Sequence, residues 1–173
     1  MYYGEIKERD IANGIGVRVS LFVSGCTNRC KGCFNEQTWD FNFGKEYTAE
    51  TENRIIELLK PDFVTGLTLL GGEPFEPKNQ GELLKLTDRV KKEMPEKTIW
   101  CYTGFTLEKL KTDGEYCRTE FTDRMLNNID VLVDGKFVEE KKNIRLKFRG
   151  SENQRIIDLN KTRAENKIVL LDI

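Results

Sequence analysis

The chain has 173 residues, a length that suits one domain of roughly 100–200 residues. Its 10 Phe, 5 Tyr and 2 Trp supply enough apolar volume to exclude a disordered chain, and its net charge of -1 excludes a basic protein that binds nucleic acid in bulk. No apolar run approaches the roughly 18 residues of a membrane helix, and the N-terminus does not resemble a signal peptide, so we expect a cytoplasmic protein.

Hydrophobic periodicity predicts strands that alternate with helices. In chain order we expect a strand over 16–24, a helix over 48–60 capped by Thr48, a strand over 64–70, a helix over 79–94, a strand over 98–103, short helices over 106–110 and 121–127, a strand over 129–133, and two last strands over 144–148 and 168–171. This alternation implies βα units and a parallel sheet. A closed barrel of eight strands needs about 250 residues. We therefore expect an α/β fold, a partial, open (βα) barrel of parallel strands, in a single domain over 1–173.

Unusual residues follow four of the predicted strands. Cysteines follow the first, Gly71-Gly72-Glu73-Pro74 follows the second, Tyr102-Thr103-Gly104 the third and Asp134-Gly135-Lys136 the fourth. In parallel α/β sheets the chemistry lies beyond the carboxyl ends of the strands. We therefore expect these four segments to converge on one face.

Three of the five cysteines, Cys26, Cys30 and Cys33, form the pattern C-x3-C-x2-C in a chain without histidine. Thiolates are soft ligands, which favours zinc or an iron–sulfur cluster. A closed zinc site or an electron-carrying [4Fe–4S] cluster would need a fourth ligand, from Cys101, Cys117 or a carboxylate. We interpret Cys101 as a buried apolar residue and Cys117 as an incidental loop thiol. The three cysteines then leave one iron open for a substrate.

The cysteine pattern after the first strand, with Gly71-Gly72-Glu73-Pro74 after the second, resembles the motifs of the radical S-adenosylmethionine (SAM) enzymes. The runs 13–18 and 149–155 and the whole cysteine loop are similar to the activating proteins of the anaerobic ribonucleoside-triphosphate reductase. This likeness extends from Tyr3 to Asp172. Gly32, before the third cysteine, matches the small residue common in that family.

One departure lies within the cysteine loop. Some members carry a histidine there, whereas this chain has Thr27-Asn28-Arg29. No role for such a histidine can be transferred to this chain.

The resemblance implies a [4Fe–4S] cluster whose irons are ligated by Cys26, Cys30 and Cys33, with SAM on the fourth iron. Reductive cleavage of SAM would give methionine and a 5′-deoxyadenosyl radical. This radical would remove a hydrogen atom from a glycine of the reductase large subunit. The family resemblance also implies reduced flavodoxin or ferredoxin as the electron donor.

The resemblance further implies which residues contact SAM. Gly71, Gly72 and Glu73 would face its ammonium group, since a backbone without side chains allows close approach. Gly32, Cys33 and Phe34 would hold the adenine through backbone groups and the Phe34 ring, although a core position for Phe34 is an alternative.

Two more strand ends are implied in SAM binding. Lys136 would pair with the SAM carboxylate and Asp134 would orient it, the alternative being an ordinary strand-end turn. Thr103 is a further candidate contact. Arg149 and Arg155 would face either the partner protein or SAM, and an exposed ion pair is the default interpretation for both.

Three other functions remain open on the sequence alone. The first is an activating enzyme of another glycyl radical enzyme, of the formate-lyase type. The second is a ferredoxin-like electron carrier, which needs a fourth cysteine ligand. The third is a small zinc-binding module, which would leave Gly71–Pro74 and Asp134–Lys136 without a role.

Overall fold

The computed structural model describes residues 1–173 as one seven-stranded sheet with five α-helices. The strands are β1 (Tyr2–Asp10), β2 (Val17–Val23), β3 (Lys45–Glu46), β4 (Val64–Gly71), β5 (Thr98–Tyr102), β6 (Val131–Asp134) and β7 (Arg155–Asp158). The helices are α1 (Ala49–Leu59), α2 (Pro77–Glu93), α3 (Leu107–Lys111), α4 (Thr122–Asn128) and α5 (Leu159–Glu165). No helix is long and apolar enough to span a membrane.

The sheet has the strand order β3-β1-β2-β4-β5-β6-β7. The four central strands β2, β4, β5 and β6 are parallel, whereas β1, β3 and β7 pair antiparallel at the edges. The expected α/β class and parallel central strands are confirmed. The antiparallel edges were not predicted, because the sequence was interpreted only as βα units.

Local sequence explains where the two long helices begin. Thr48 caps α1 as expected, since its hydroxyl accepts from the Thr51 amide and the Thr51 hydroxyl accepts from the Thr48 amide. Pro77 stands in the first turn of α2, where its missing N–H costs nothing, so this helix starts two residues before the predicted Asn79. The apolar faces of these helices pack on the sheet.

One face of the sheet forms the core with these helices. Leu21, Leu69, Cys101 and Leu132 lie side by side on the four parallel strands and are all 0% exposed. The interpretation of Cys101 as a buried apolar residue is therefore confirmed. Cys117 lies in a turn, as expected of a loop thiol, but it is 1% exposed and part of this core, so the description of it as incidental was wrong.

A buried arginine lies on the opposite face, near the amino ends of the central strands. Arg18 is 0% exposed, donates to the Thr68 hydroxyl at 2.7 Å and the Leu67 carbonyl at 2.8 Å, and lies over the Trp100 ring. Burial lowers the pKa of Arg18 to about 10. Arg18 thus joins β2 to β4 and β5 on this face, because it also donates to the Thr98 carbonyl.

Two predicted strands were wrong. Residues 144–148 form turns in which Ile144 is 90% exposed, and Phe148 has a φ of 56°, which is incompatible with a strand. The Phe148 ring instead packs edge-on against Trp100, with ring centroids 5.4 Å apart. Residues 168–171 make only one isolated bridge, between Leu170 and Ile157.

Candidate functional site at the carboxyl ends of the parallel strands

Backbone hydrogen bonds join the carboxyl ends of the parallel strands. The Gly72 amide donates to the Val23 carbonyl at 2.7 Å, and the Glu73 amide donates to the Gly25 carbonyl at 2.8 Å. At the other side, the Thr103 amide donates to the Val133 carbonyl at 2.9 Å. These strand ends therefore lie side by side, and the segments after β2, β4 and β5 line one cavity, whereas Asp134-Gly135-Lys136 after β6 does not.

A cavity of about 430 Å³ opens at this face. Its walls include Cys26, Cys30 and Cys33 together with Gly71–Glu73, Thr103 and Gly104. The structure thus brings the three thiols together with the glycine-rich turn, as the sequence predicts.

The three thiols are half-buried and free of disulfides. Burial, and to a smaller extent the Glu73 charge, raises the pKa of Cys26 to about 11. Burial also raises the pKa of Cys30, and the nearby Lys136 ammonium acts against that rise. Because a metal binds the thiolate, loading this loop at neutral pH must release protons.

The donor set fits a cluster that is ligated by three cysteines. The remaining cysteines, Cys101 and Cys117, belong to the core and do not line the cavity. No group of three or more Cys, Asp or Glu side chains is close enough to hold a single metal ion. A cluster does not require its thiolates to share one ion, because each thiolate binds a different iron.

Glu73 holds three segments of the site together. It is 1% exposed, and its carboxylate accepts four hydrogen bonds, all from neutral donors: the Phe75 amide, the Thr103 hydroxyl, the Gly104 amide and the Asn28 side chain. Burial raises its pKa to about 7, although these hydrogen bonds act in the opposite direction. The carboxylate thus ties the cysteine loop to the ends of β4 and β5.

The two glycines before Glu73 are required by close packing. Gly71 has a φ of 107°, a conformation that strains residues with a side chain. A Cβ on Gly72 would lie 2.6 Å from the Gly25 carbonyl oxygen. These glycines let the end of β4 lie directly against the start of the cysteine loop.

Phe34 lines the cavity, and Gly32 lies two residues before it on the same loop. Gly32 has a φ of 75° and is exposed. Phe34 is 71% exposed, so the alternative of a core position is wrong. Its ring packs against Phe137 at 5.8 Å between centroids, and Lys142 lies over it.

Asp134 is 1% exposed and does not line the cavity. Its carboxylate accepts from Arg155 Nε at 2.9 Å and from the Leu107 amide at 2.8 Å. Arg155 also bonds Glu108, which makes it a half-buried bridge rather than the exposed ion pair expected by default. Lys136 is exposed and also lies outside the cavity wall.

Several cavity residues were missed from the sequence. They are Asn13, Asn28, Trp39, Tyr102, Phe137 and Gln154. The Tyr102 hydroxyl is buried without a hydrogen-bond partner. Its place directly before Thr103 at a strand end was the available signal, whereas the others lie on loops or, for Trp39, in a short 3-10 helix that periodicity does not describe. Arg149 lines the cavity as well, and its side chain donates to the Gln154 carbonyl.

Comparison with known proteins extends this picture. Residues 12–157 match the model of a protein family described as a 4Fe-4S single cluster domain. A protein of Vibrio cholerae is 44% identical over 156 residues, which cover 89% of this chain and 96% of the relative. An Escherichia coli protein is 40% identical with the same coverage. A phage T4 protein is 39% identical over 158 residues, covering 90% of this chain and 93% of the relative. All three are named anaerobic ribonucleoside-triphosphate reductase-activating protein.

Proposed function

The chain belongs to the family of anaerobic ribonucleoside-triphosphate reductase-activating proteins, and we propose that it forms a glycyl radical on that reductase by using a [4Fe–4S] cluster and SAM. One observation carries this proposal. The three cysteines of one loop line the same cavity as the glycine-rich turn after β4. A radical SAM enzyme needs this arrangement, because SAM must reach both groups at once.

In this proposal Cys26, Cys30 and Cys33 are the cluster ligands. When bound there, the cluster and SAM would supply radical chemistry, namely a 5′-deoxyadenosyl radical able to remove a hydrogen atom from the target glycine. The task of the protein is to hold these groups in position and to limit the access of water. The half-buried thiols and the cavity beside them suit this task.

The glycine-rich turn is assigned to the SAM ammonium group. The amides of Gly72 and Glu73 already donate to Val23 and Gly25, so the turn would offer carbonyl oxygens to a cation. Thr103 and the Glu73 carboxylate lie behind this turn and bond each other at 2.8 Å. Glu73 would then act on SAM mainly by holding this turn in place, since protein donors occupy its oxygens.

The adenine is assigned to the mouth of the cavity. Gly32 and Cys33 would offer backbone groups there, and the exposed Phe34 ring would offer a flat apolar surface. Lys136 is assigned to the SAM carboxylate, supported by its charge close to Cys30. Asp134 is bonded to Arg155 and would shape the turn that carries Lys136.

The four parallel strands are interpreted as part of an open (βα) barrel of the radical SAM type. An open edge suits a macromolecular substrate, because the target glycine of the reductase large subunit must reach the cavity. Reduced flavodoxin or ferredoxin is the proposed electron donor. The electron-carrier alternative needs a fourth cysteine, and the two remaining cysteines are buried in the core.

The test is EPR spectroscopy of anaerobically reconstituted protein. We expect a reduced [4Fe–4S] signal that changes when SAM is added, followed by a glycyl radical when the reductase large subunit is also present. A cluster indifferent to SAM would refute the proposal. A SAM-responsive cluster that forms the radical only on another glycyl radical enzyme would show a different target.

A further inference from the structure

A second buried carboxylate, that of Glu76, is hydrogen-bonded to the cysteine loop. Glu76 is 0% exposed and stands directly before α2. Its Oε1 accepts from the Thr27 amide and from the Thr27 hydroxyl, both at 2.6 Å. Its Oε2 accepts from the Tyr116 hydroxyl at 2.7 Å. None of these donors carries a charge, so Glu76 is not one half of an ion pair.

Glu73 and Glu76 bind neighbouring residues of the loop. Glu76 holds Thr27 and Glu73 holds Asn28, which are two of the three residues between Cys26 and Cys30. The Gly25 amide also donates to the Thr38 carbonyl at 2.7 Å. The first half of the loop is therefore anchored by the protein alone.

We propose that Glu76 is a positioning residue that sets the orientation of Cys26 through the Thr27 amide. The Cys26 carbonyl and the Thr27 N–H belong to one planar peptide group, so a bond to that N–H also restrains the backbone of Cys26. The ligand role of Cys26 rests on the proposed function. Groups that orient metal ligands typically change metal affinity by about 10- to 100-fold when they are removed.

The first test uses iron-free protein and does not depend on the proposed function. We expect the Thr27 amide to be protected from hydrogen exchange in the wild type, although Thr27 itself is exposed. In Glu76→Ala the exchange should be at least about tenfold faster, as expected when a bond to a charged acceptor is lost. A Thr27 amide that is unprotected in the wild type would overturn the proposal.

The second test follows the loss of the reconstituted cluster to an excess of chelator, by visible absorbance and released iron. In Glu76→Ala we expect loss at least about tenfold faster than in the wild type. Glu76→Gln keeps an oxygen for both Thr27 donors and an amide for Tyr116, so its rate should stay within about twofold. Tyr116→Phe removes only the bond on the other oxygen and should behave similarly.

Two outcomes of the chelator test would contradict the proposal. Cluster loss from Glu76→Ala at the wild-type rate would show that the loop is positioned without Glu76. Loss from Glu76→Gln as fast as from Glu76→Ala would show that the charge matters and the geometry does not. Thermal unfolding of each iron-free variant separates these effects from a loss of folding. A wild type that assembles no cluster would count against the proposed function, while the exchange test would still decide the role of Glu76.

Discussion

At the scale of single residues, Glu73 and Glu76 are two buried carboxylates that bind only neutral donors. Burying a carboxylate is unfavourable unless hydrogen bonds compensate it. Glu73 receives four such bonds and Glu76 receives three. Both therefore join the cysteine loop to the strand ends through hydrogen bonds.

The cysteines differ in their expected response to substitution. Alanine at Cys26, Cys30 or Cys33 should abolish the reconstituted cluster, because each change removes one of three ligands. Cys101→Ala should keep full iron and sulfide content and lower the free energy of unfolding by about 1 kcal/mol, since it only leaves a small cavity in the core. Iron and sulfide analysis with urea unfolding checks both results. A Cys101→Ala protein without a cluster would instead identify a fourth ligand.

At the scale of elements, one arginine ties β7 to β6 and α3. Arg155 donates to Asp134 at the end of β6 and to Glu108 in the first turn of α3. Asp134 also accepts from the Leu107 amide, which is the first of α3. This network joins the start of β7 to the end of β6, where Arg155 and Asp134 are partners in the antiparallel register.

Removal of the Arg155 side chain should destabilise the fold. Arg155→Met leaves Asp134 buried with one remaining donor, and we expect the free energy of unfolding to fall by about 3–5 kcal/mol. Glu108→Gln is the matched control, because Glu108 is exposed and its pair with Arg155 should be worth less than about 1 kcal/mol. Urea unfolding at pH 7 measures both changes. Equal losses in the two variants would contradict the assigned burial of Asp134.

The ion pair between Arg155 and Glu108 predicts that the free energy of unfolding depends on pH. The hydrogen bond from Arg155 lowers the pKa of Glu108 below its ordinary value of 4.5. A lowered carboxyl pKa contributes stability that is present above 4.5 and lost as the pH falls through the lowered value. The wild type should therefore be slightly more stable than Glu108→Gln at pH 7, and this difference should vanish in acid. A difference in unfolding free energy that persists at low pH would disprove the linkage.

Helix α2 contains a glycine whose replacement should be favourable. A Cβ on Gly81 would meet nothing closer than the Phe121 ring at 3.5 Å, which is ordinary contact. Because alanine is the better helix former, Gly81→Ala should raise the free energy of unfolding by about 0.5–1 kcal/mol. Thermal unfolding checks this, and a lower melting temperature would show that Phe121 cannot accommodate the methyl group.

At the scale of the whole molecule, the core and the cysteine cavity lie apart. The core contains 28 buried residues on the helix-covered face of the sheet, and none of Cys26, Cys30 and Cys33 is among them. The cysteine loop is instead anchored to strand ends by backbone and carboxylate bonds. The sheet therefore does not depend on a metal for its apolar burial.

This separation predicts that removal of iron leaves the fold intact. Chelated protein should lose its visible absorbance while it keeps its far-UV circular dichroism and a cooperative thermal transition. A zinc finger behaves in the opposite way, because its metal supplies the folding free energy. Unfolding together with loss of colour would contradict the prediction.

The sequence by itself determined the parallel centre of the fold and the meeting of the three cysteines with the glycine-rich turn. Long apolar periodicities mark α1, β4, α2 and β5, and the residues after each strand follow from the topology, because parallel strands end at one edge. Only the tertiary structure decided which strands pair at the edges of the sheet and which side chains bond each other. A short segment such as β7 has too few residues for a period, and the alternation over 144–148 does not show whether a strand is available to pair with it. The bonds of Glu76 with Thr27 and of Arg155 with Asp134 join segments 21 to 49 residues apart, which only folding brings together.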